Sequence, residues 1–542
     1  MKRSLTILFA ACFLNCLGQD LPRRIDSLFA DYTKPGSPGV AALVVQDGKI
    51  VFEKGYGLAN LEYNIPITPT SVFDIASVSK QFCGYAISTL IHEGKISPDD
   101  DIHKYLPNVP DFGKKITVGN LIHHTSGLRD WPEGLHAAGW RWDESFSYED
   151  IMRMVSKQRD LDFEPGSRYQ YSNTGYNLLA AVVAKVTGKP FPDWETEHIF
   201  KPLGMQHTQV LSDYSKVVPN LARSYYLSGS DYHNSTDQLT ALGSSSIFTT
   251  VEDLAKWVIF FEKGLDNIDP VITGMTRTEK LNNGSANNYA FGLDIEKNND
   301  VRNIQHTGGW ASYATIISMY PDQHIGIILL GNKDGFDPGG NARAIAAMMI
   351  KELKTSDHKQ EDVSRQPTVK VDSQLLKKYV GTYKLGQGWY VTLTLEDSKL
   401  MVQATHEDKF PIEMKSDSVM WVPAYNSSVR FDEVKEQAGA IWYHGKRSPR
   451  VILVKIDSAA LAQYVGRYYS RELEPTYRIT LEHGKLVAHH MRLGDFALTP
   501  DMENPLAFNS DNGTLEFYKT GDKVAGLKLS GGRVRNIVFE RI

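Results

Sequence analysis

The last third of the chain carries the feature that most narrows its fold, one pattern written twice. Leu376-Lys377-Lys378-Tyr379-Val380-Gly381-Thr382-Tyr383 returns as Leu461-Ala462-Gln463-Tyr464-Val465-Gly466-Arg467-Tyr468, 85 positions further on. The register persists. Leu395-Glu396-Asp397-Ser398-Lys399-Leu400 matches Leu481-Glu482-His483-Gly484-Lys485-Leu486, and Val429-Arg430-Phe431 matches Leu515-Glu516-Phe517, both 86 positions apart. Around these anchors apolar and polar residues alternate in short runs, the period of half-buried strands. Such a repeat predicts two all-β units, of the lipocalin-like barrel type, over residues 373–456 and 457–542. Side chains fill a small barrel, so a scaffold that shields an active-site mouth or mediates assembly is a simpler reading than an apolar-ligand carrier.

The stretch 356–372 is polar and charged, contains Pro367 and reads as a linker. A chain of 542 residues exceeds what one core can serve, so residues 19–355 form a separate domain. The 42% hydrophobic and 23% charged residues are those of an ordinary soluble globular protein, and a net charge of −5 offers no basic surface for nucleic acid. At the N-terminus, Met1-Lys2-Arg3 followed by the apolar run Leu5 to Leu17 has the form of a secretory signal, with cleavage after Gly18. The run is too short to span a bilayer comfortably, so the mature chain is expected to be exported, periplasmic or extracellular, without a transmembrane helix. Lipid attachment at Cys12 or Cys16 fits the flanking residues less well. Removal of residues 1–18 leaves Cys83 alone, which excludes an internal disulfide and a cysteine-based metal site. Cys83 itself reads as a small buried hydrophobe.

Within 19–355 the chemistry gathers at Ile75-Ala76-Ser77-Val78-Ser79-Lys80-Gln81-Phe82. Residues three apart share a helical face, so the Lys80 amine can reach the Ser77 hydroxyl. Phe82, Tyr85, Ala86, Leu90 and Ile91 then follow at helical spacing, with Gly94 as a stop. Ser77 falls in the first turn, where unpaired N–H groups favour a developing negative charge. The pair alone proves little, since Ser356 and Lys359 repeat its spacing in a charged stretch. Before it, Val40–Val45 and Lys49–Phe52 read as a hairpin across Asp47-Gly48. After it, His123 and His124 adjoin in sequence and therefore do not face one metal ion on a helix; structural roles are expected for both. Phe163 to Tyr176 is a Pro-Gly turn leading into a helix over 177–186, and presents Tyr171 and Asn173 from a loop. Asn303 to Trp310 precedes two buried strands, 313–319 and 325–330, and an amphipathic helix over 341–354. Gly308 and Gly309 there would let a ligand approach the backbone of an edge strand. Together these elements predict a sheet made from the first hairpin and the strands after His306, with a helical insertion between them.

Ser77-Val78-Ser79-Lys80, Tyr171-Ser172-Asn173 and His306-Thr307-Gly308 stand in the order and approximate spacing of the serine β-lactamase/penicillin-recognising superfamily. The resemblance is to its class C-like hydrolases of the peptidase S12 type: D,D-carboxypeptidases, D-aminopeptidases and related esterases. HHTSGL, FEPGSRYQYSNTGYNLL, Pro202 to Met205 and Gly243-Ser244-Ser245-Ser246 also look like this family, and the resemblance covers roughly residues 25 to 355. It implies an α+β catalytic domain of the β-lactamase/transpeptidase type, an antiparallel sheet flanked by helices. One position departs: class C β-lactamases carry lysine where this chain has His306, as some D,D-peptidases and D-aminopeptidases do. Histidine is mostly neutral near pH 7, which weakens the case for a dedicated β-lactamase acting on an anionic antibiotic.

A hydroxyl is a weak nucleophile and Ser77 needs a base. Lys80 can serve only as the free amine, roughly one molecule in 2,500 at about pH 7 with an ordinary pKa of about 10.4. Lowering that pKa by about three units takes roughly 4 kcal/mol of differential stabilisation, so the site must be dry and tightly packed. The resemblance assigns Tyr171 to proton traffic with Ser77 or the leaving group. It gives Asn173 the substrate amide, the N–H groups of Ser77 and Gly309 the oxyanion, and His306 and Thr307 the far end of the substrate. The expectation is an acyl-enzyme on Ser77, hydrolysed without metal or cofactor. The substrates expected are small peptides or amides containing D-amino acids. An esterase or β-lactamase of the same superfamily, and a penicillin-binding sensor or structural module that does not turn over, are the alternatives, and the oligomeric state is left open.

Overall fold

The computed structural model describes residues 21–235, 238–353, 363, 366–386, 389–405, 407–425, 427–452, 454 and 458–542. The expected signal segment and most of the expected linker lie outside the described residues. The chain divides into two compact units, Met1–Thr355 with Gly532–Arg535, and Ser356–Gly531 with Asn536–Ile542. No helix among the described residues is long and apolar enough to cross a membrane.

The first unit is built on a seven-stranded antiparallel sheet. Its strands are β1 (Val40–Gln46), β2 (Lys49–Tyr56), β3 (Tyr289–Ala290), β4 (Leu293–Asn298), β5 (Val301–Trp310), β6 (Tyr313–Tyr320) and β7 (Ile325–Gly331), in the spatial order β3-β4-β5-β6-β7-β1-β2. The hairpin turns through Asp47 and Gly48, both at positive φ, and β1 pairs along its length with β7 in the register Val40 to Gly331 through Gln46 to Ile325. The early hairpin and the late strands therefore share one sheet. β1 and β7 are apolar because both faces of the sheet are covered, and β7 is buried at every position. One face carries Val40, Ala42, Val44, Ile316, Ile327 and Leu329 into a core with Phe29, Ile345 and Ala346. The two short strands β3 and β4 were not foreseen, since Leu293-Asp294-Ile295-Glu296-Lys297-Asn298 has too little apolar content to announce a strand.

Between β2 and β3 lies the helical insertion. Its helices include α1 (Lys80–His92), α2 (Val118–Ile122), α3 (Trp131–Ala137), α4 (Asn173–Thr187) and α5 (Val251–Asp266), and α6 (Pro338–Met349) closes the unit. A single 3₁₀ turn, Ala76–Ser79, leads into α1. The end of α1 is set by Gly94, whose left-handed backbone lets its N–H bond back to Ile91. Helix α4 begins earlier than expected, at Asn173, because the Asp130 carboxylate accepts the N–H groups of Asn173 and Thr174 and so caps its first turn.

The second unit contains two all-β barrels. Strands 381–386 to 446–451 form a nine-stranded antiparallel sheet whose edges, Lys409–Pro411 and Glu413–Met414, are chain neighbours across Ile412, so the sheet rolls up on itself. The last eight strands form a closed barrel in which each strand pairs with the next in sequence. The sequence repeat has a physical basis in both. Tyr383 donates its hydroxyl to the Tyr379 carbonyl at 2.8 Å, and Tyr468 donates to Tyr464 at 2.7 Å. The core of the first barrel is made by its own side chains, among them Leu393, Val402, Met420, Val429 and Phe431, and leaves a cavity of about 150 Å³ lined by Val402, Met420 and Val429. Each buried aliphatic side chain contributes roughly 1.5–3 kcal/mol to such a core.

Candidate active site

Ser77 sits in the 3₁₀ turn at the mouth of α1, directly after Ala76, whose φ of 48° puts a non-glycine residue in the left-handed region. Such a conformation costs on the order of 1–3 kcal/mol and persists where its surroundings over-determine it. Here Asp74 Oδ1 accepts the Ala76 N–H at 2.7 Å, and Thr315 of β6 donates its hydroxyl to the Ile75 carbonyl at 2.9 Å. The turn also presses on β5. A Cβ at Gly308 would lie 2.2 Å from the Ile75 oxygen, whereas one at Gly309 would meet nothing within 4 Å. The close approach expected from a ligand at Gly308 is therefore made by the protein's own Ser77 turn, and only Gly309 opens outward.

The Lys80 amine is fully buried and lies 3.0 Å from Ser77 Oγ, 2.7 Å from Asn173 Oδ1 and 2.8 Å from the Ser244 carbonyl. The amine donates to all three oxygens; once deprotonated it can keep the two carbonyl oxygens as acceptors and turn its lone pair to the Ser77 hydroxyl. Burial drives the Lys80 pKa well below the ordinary lysine range, with Asp130 opposing the shift and Arg533 adding to it. Tyr171 faces the same amine, its ring centroid 4.9 Å from Lys80 Nζ. Burial pushes its pKa up, partly opposed by its hydrogen bond with Ser77, so the phenol keeps its proton at neutral pH. The loop holding Tyr171 is pinned on both sides by His124, whose carbonyl accepts the Gln170 N–H and whose Nδ1 accepts the Ser172 N–H. The imidazole lies 4.4 Å from the Tyr171 ring, between centroids, and burial drives its pKa well down. His124, expected to be structural, thus acts by placing Tyr171.

Asn173 is oriented by Asp130, which accepts its backbone N–H at 2.6 Å and its side-chain Nδ2 at 3.1 Å, leaving Oδ1 to Lys80. Burial raises the Asp130 pKa to about 6, with Arg533 acting in the opposite direction. Asp130 was missed in the sequence; the signal was its place just before the helix-opening Trp131-Pro132. Asn177, one turn into α4, donates to Ser244 Oγ and the Leu242 carbonyl, fixing the loop that offers the Ser244 oxygen.

His306 and its neighbours follow strand alternation along β5: His306 and Gly308 are buried, Thr307 and Gly309 exposed. Both imidazole nitrogens of His306 are engaged within the protein, Nδ1 with the Thr307 carbonyl at 2.6 Å and Nε2 with the Tyr289 hydroxyl at 2.8 Å. Burial lowers its pKa to about 3, so it is neutral at physiological pH. Of the late-motif residues, then, Thr307 and Gly309 face outward, while His306 supports Tyr289, whose ring lies 6.1 Å from that of Tyr171. Among the described residues no group of three His, Cys, Asp or Glu side chains is placed to hold a metal ion. Cys83 is buried, with its thiol near the Tyr176 carbonyl.

A serine, a buried lysine and a tyrosine on this α+β frame define a serine hydrolase, and the chain belongs to the β-lactamase family, whose profile matches residues 25–349. It is an enzyme of the serine β-lactamase/penicillin-binding-protein superfamily. Penicillin-binding protein 4* of Bacillus subtilis (strain 168) is 26% identical over 438 residues, covering 76% of this chain and 94% of its own length. The fold is shared with the octameric penicillin-binding protein homologue from Pyrococcus abyssi, with a TM-score of 0.56 and 19% identity over 88% of this chain and 98% of that one. It is also shared with a D-amino acid amidase from Ochrobactrum anthropi SV3, with a TM-score of 0.51 and 23% identity over 62% of this chain and 99% of that one.

Proposed function

We propose that this is an exported hydrolase that acylates Ser77 and acts on peptides or amides containing D-amino acids. The observation that carries the reading is the 3.0 Å contact between the Ser77 hydroxyl and a fully buried lysine amine whose other two partners are carbonyl oxygens. Ser77 Oγ attacks the substrate carbonyl carbon while its proton passes to Lys80. The N–H groups of Ser77 and Gly309 receive the oxyanion, whose donors are worth roughly 3–4 kcal/mol each. Tyr171, kept protonated, relays a proton to the leaving amine; water then attacks the ester carbonyl and releases the acid and the serine. Asn173 and Thr307 are the side chains assigned to hold the substrate amide and its far end, while His306 acts through Tyr289.

Two observations support an amide over an anionic antibiotic. His306 offers no positive charge at the position where class C β-lactamases place lysine, and the D-amino acid amidase shares this frame. The charged and apolar N-terminal segment supports export. The closed eight-stranded meander supports a lipocalin-like assignment for the last barrel, and the octameric homologue supports assembly of several copies.

The test is steady-state hydrolysis of D-alanine p-nitroanilide, a D-alanyl-D-alanine peptide, nitrocefin and p-nitrophenyl acetate by wild type and Ser77→Ala. Preference for a D-amino substrate, lost in the variant, is the expected result. Turnover of the acetate alone would make it an esterase, and of nitrocefin a β-lactamase. Acylation of Ser77 with no turnover would make it a binding module.

A further inference from the structure

Resting on the proposed Ser77–Lys80 reading, the structure also assigns a role to a residue far away in the chain. The segment Gly532–Arg535 belongs to the first unit. It is fastened there by its backbone: Gln170 Nε2 donates to the Arg533 carbonyl at 2.9 Å, the Arg535 N–H donates to Asp162 at 2.8 Å, and Arg129 donates to the Arg535 carbonyl. The Arg533 side chain then reaches the catalytic cluster. Its Nε lies 3.0 Å from Asp130 Oδ2 and 3.0 Å from Glu133 Oε1, and its guanidinium carbon is 5.4 Å from the Tyr171 ring centroid.

Asp130 sits one residue behind the chemistry, because Asn173 links its carboxylate to the Lys80 amine. It accepts three N–H bonds from Asn173 and Thr174, which hold it as the anion. An uncompensated buried carboxylate in that place would stabilise a protonated Lys80, and a protonated Lys80 cannot take the Ser77 proton. The other groups around the amine supply no compensating charge. His124 and His306 are neutral, Tyr171 and Tyr176 keep their protons, and burial keeps the Cys83 thiol protonated. Tyr169 and Tyr289, on the far side of the Tyr171 ring, are likewise neutral phenols. Arginine alone among these carries a permanent charge, and its planar fork suits a pair of carboxylates.

We propose that Arg533 is a positioning residue for acylation: its guanidinium, held between Asp130 and Glu133, cancels the carboxylate charge behind Asn173 so that Lys80 stays a free amine beside Ser77. Arg533 touches neither the substrate carbonyl nor the Ser77 hydroxyl in this scheme; it acts through Asp130.

The readout is the second-order rate at which a fluorophosphonate labels Ser77 in the full-length protein, from about pH 5 to about pH 10, which needs no physiological substrate. In that reaction the Ser77 oxygen bonds to phosphorus, fluoride leaves, and Lys80 accepts the proton. For Arg533→Ala the rising limb should move up by about one pH unit, an approximately tenfold loss on the acid side of the limb that is recovered at alkaline pH. Arg533→Lys should keep the limb within about half a unit. Glu133→Gln, which removes a negative charge, should move it the opposite way and covers the case in which Arg533→Ala does not fold. A loss by the same factor at every pH would show that Arg533 only packs the site, and an unmoved limb would overturn the proposal as well. Failure of wild type to label at all would overturn the Ser77 reading itself, and this inference with it.

Discussion

Tyrosines in the two units have opposite surroundings, and the contrast shows how neighbours decide what a phenol can do. In the barrels, Tyr383 and Tyr468 donate their hydroxyls to backbone carbonyls four residues earlier. Each finds a backbone acceptor close in sequence, and the cations beside them are arginines, Arg450 at Tyr383 and Arg541 at Tyr468, which keep their protons at neutral pH. In the first unit, Tyr171 is flanked by Ser77, by the Lys80 amine 4.9 Å from its ring, and by the Arg533 guanidinium on the same ring at 5.4 Å. A hydroxyl that finds a backbone acceptor is a latch. One that finds a serine and a lysine amine is placed, in the proposed mechanism, to move protons.

The widest separation between the two regions should come from Ser77→Ala. It should lower turnover by at least about 10⁴-fold and leave the unfolding midpoint near that of wild type, measured by steady-state kinetics beside a thermal melt. Tyr171→Phe comes next: a loss of about 10²–10⁴ in kcat is expected for a missing proton relay. Activity within about threefold of wild type would reduce Tyr171 to the same latch role as the barrel tyrosines.

His306 gives a stability effect of intermediate size. Its folded pKa of about 3 is depressed from an ordinary value near 6.5. The unfolded chain therefore binds a proton that the folded chain refuses, and the stability present above pH 6.5 is lost as pH falls toward 3. By about pH 5 the loss from this group alone is about 2 kcal/mol. His124 shifts in the same direction. His306→Gln should flatten the acid side of the urea-unfolding profile, and an unchanged slope would remove His306 from the explanation.

The smallest effect belongs to the latches. Tyr383→Phe and Tyr468→Phe each remove a buried hydroxyl that donates to a backbone carbonyl and should destabilise the second unit by about 1 kcal/mol, with hydrolysis within about twofold of wild type. A large loss of activity from either would erase the distinction drawn here.

Much of this was legible in the residues. The spacing of Ser77 and Lys80, the Pro-Gly turn before Tyr171 and Asn173, and the apolar runs of β6 and β7 each carry local signals: helical period, turn chemistry and strand composition. The Tyr-x-x-x-Tyr repeat was legible for the same reason, since the hydrogen bond it makes spans four residues. Strand β4 was missed because its polar residues face outward on a sheet margin. Asp130 was missed because its partners, Asn173 and Thr174, lie more than forty positions away. Arg533 had no sequence signal at all, since its Glu133 partner is 400 positions distant. His306 was read as bringing no fixed charge and as touching the far end of the substrate; its two internal hydrogen bonds, which depend on Tyr289 and on the path of β5, turn it inward instead.

The sequence by itself determined the catalytic family, the spacing that brings Ser77 and Lys80 together, and the doubled β pattern, because each rests on residues a few positions apart along one helix, turn or strand. Only the tertiary structure decided which groups surround that pair and what charge they carry. Desolvation and the Asp130–Arg533 contact act through space, between residues that the chain places hundreds of positions apart.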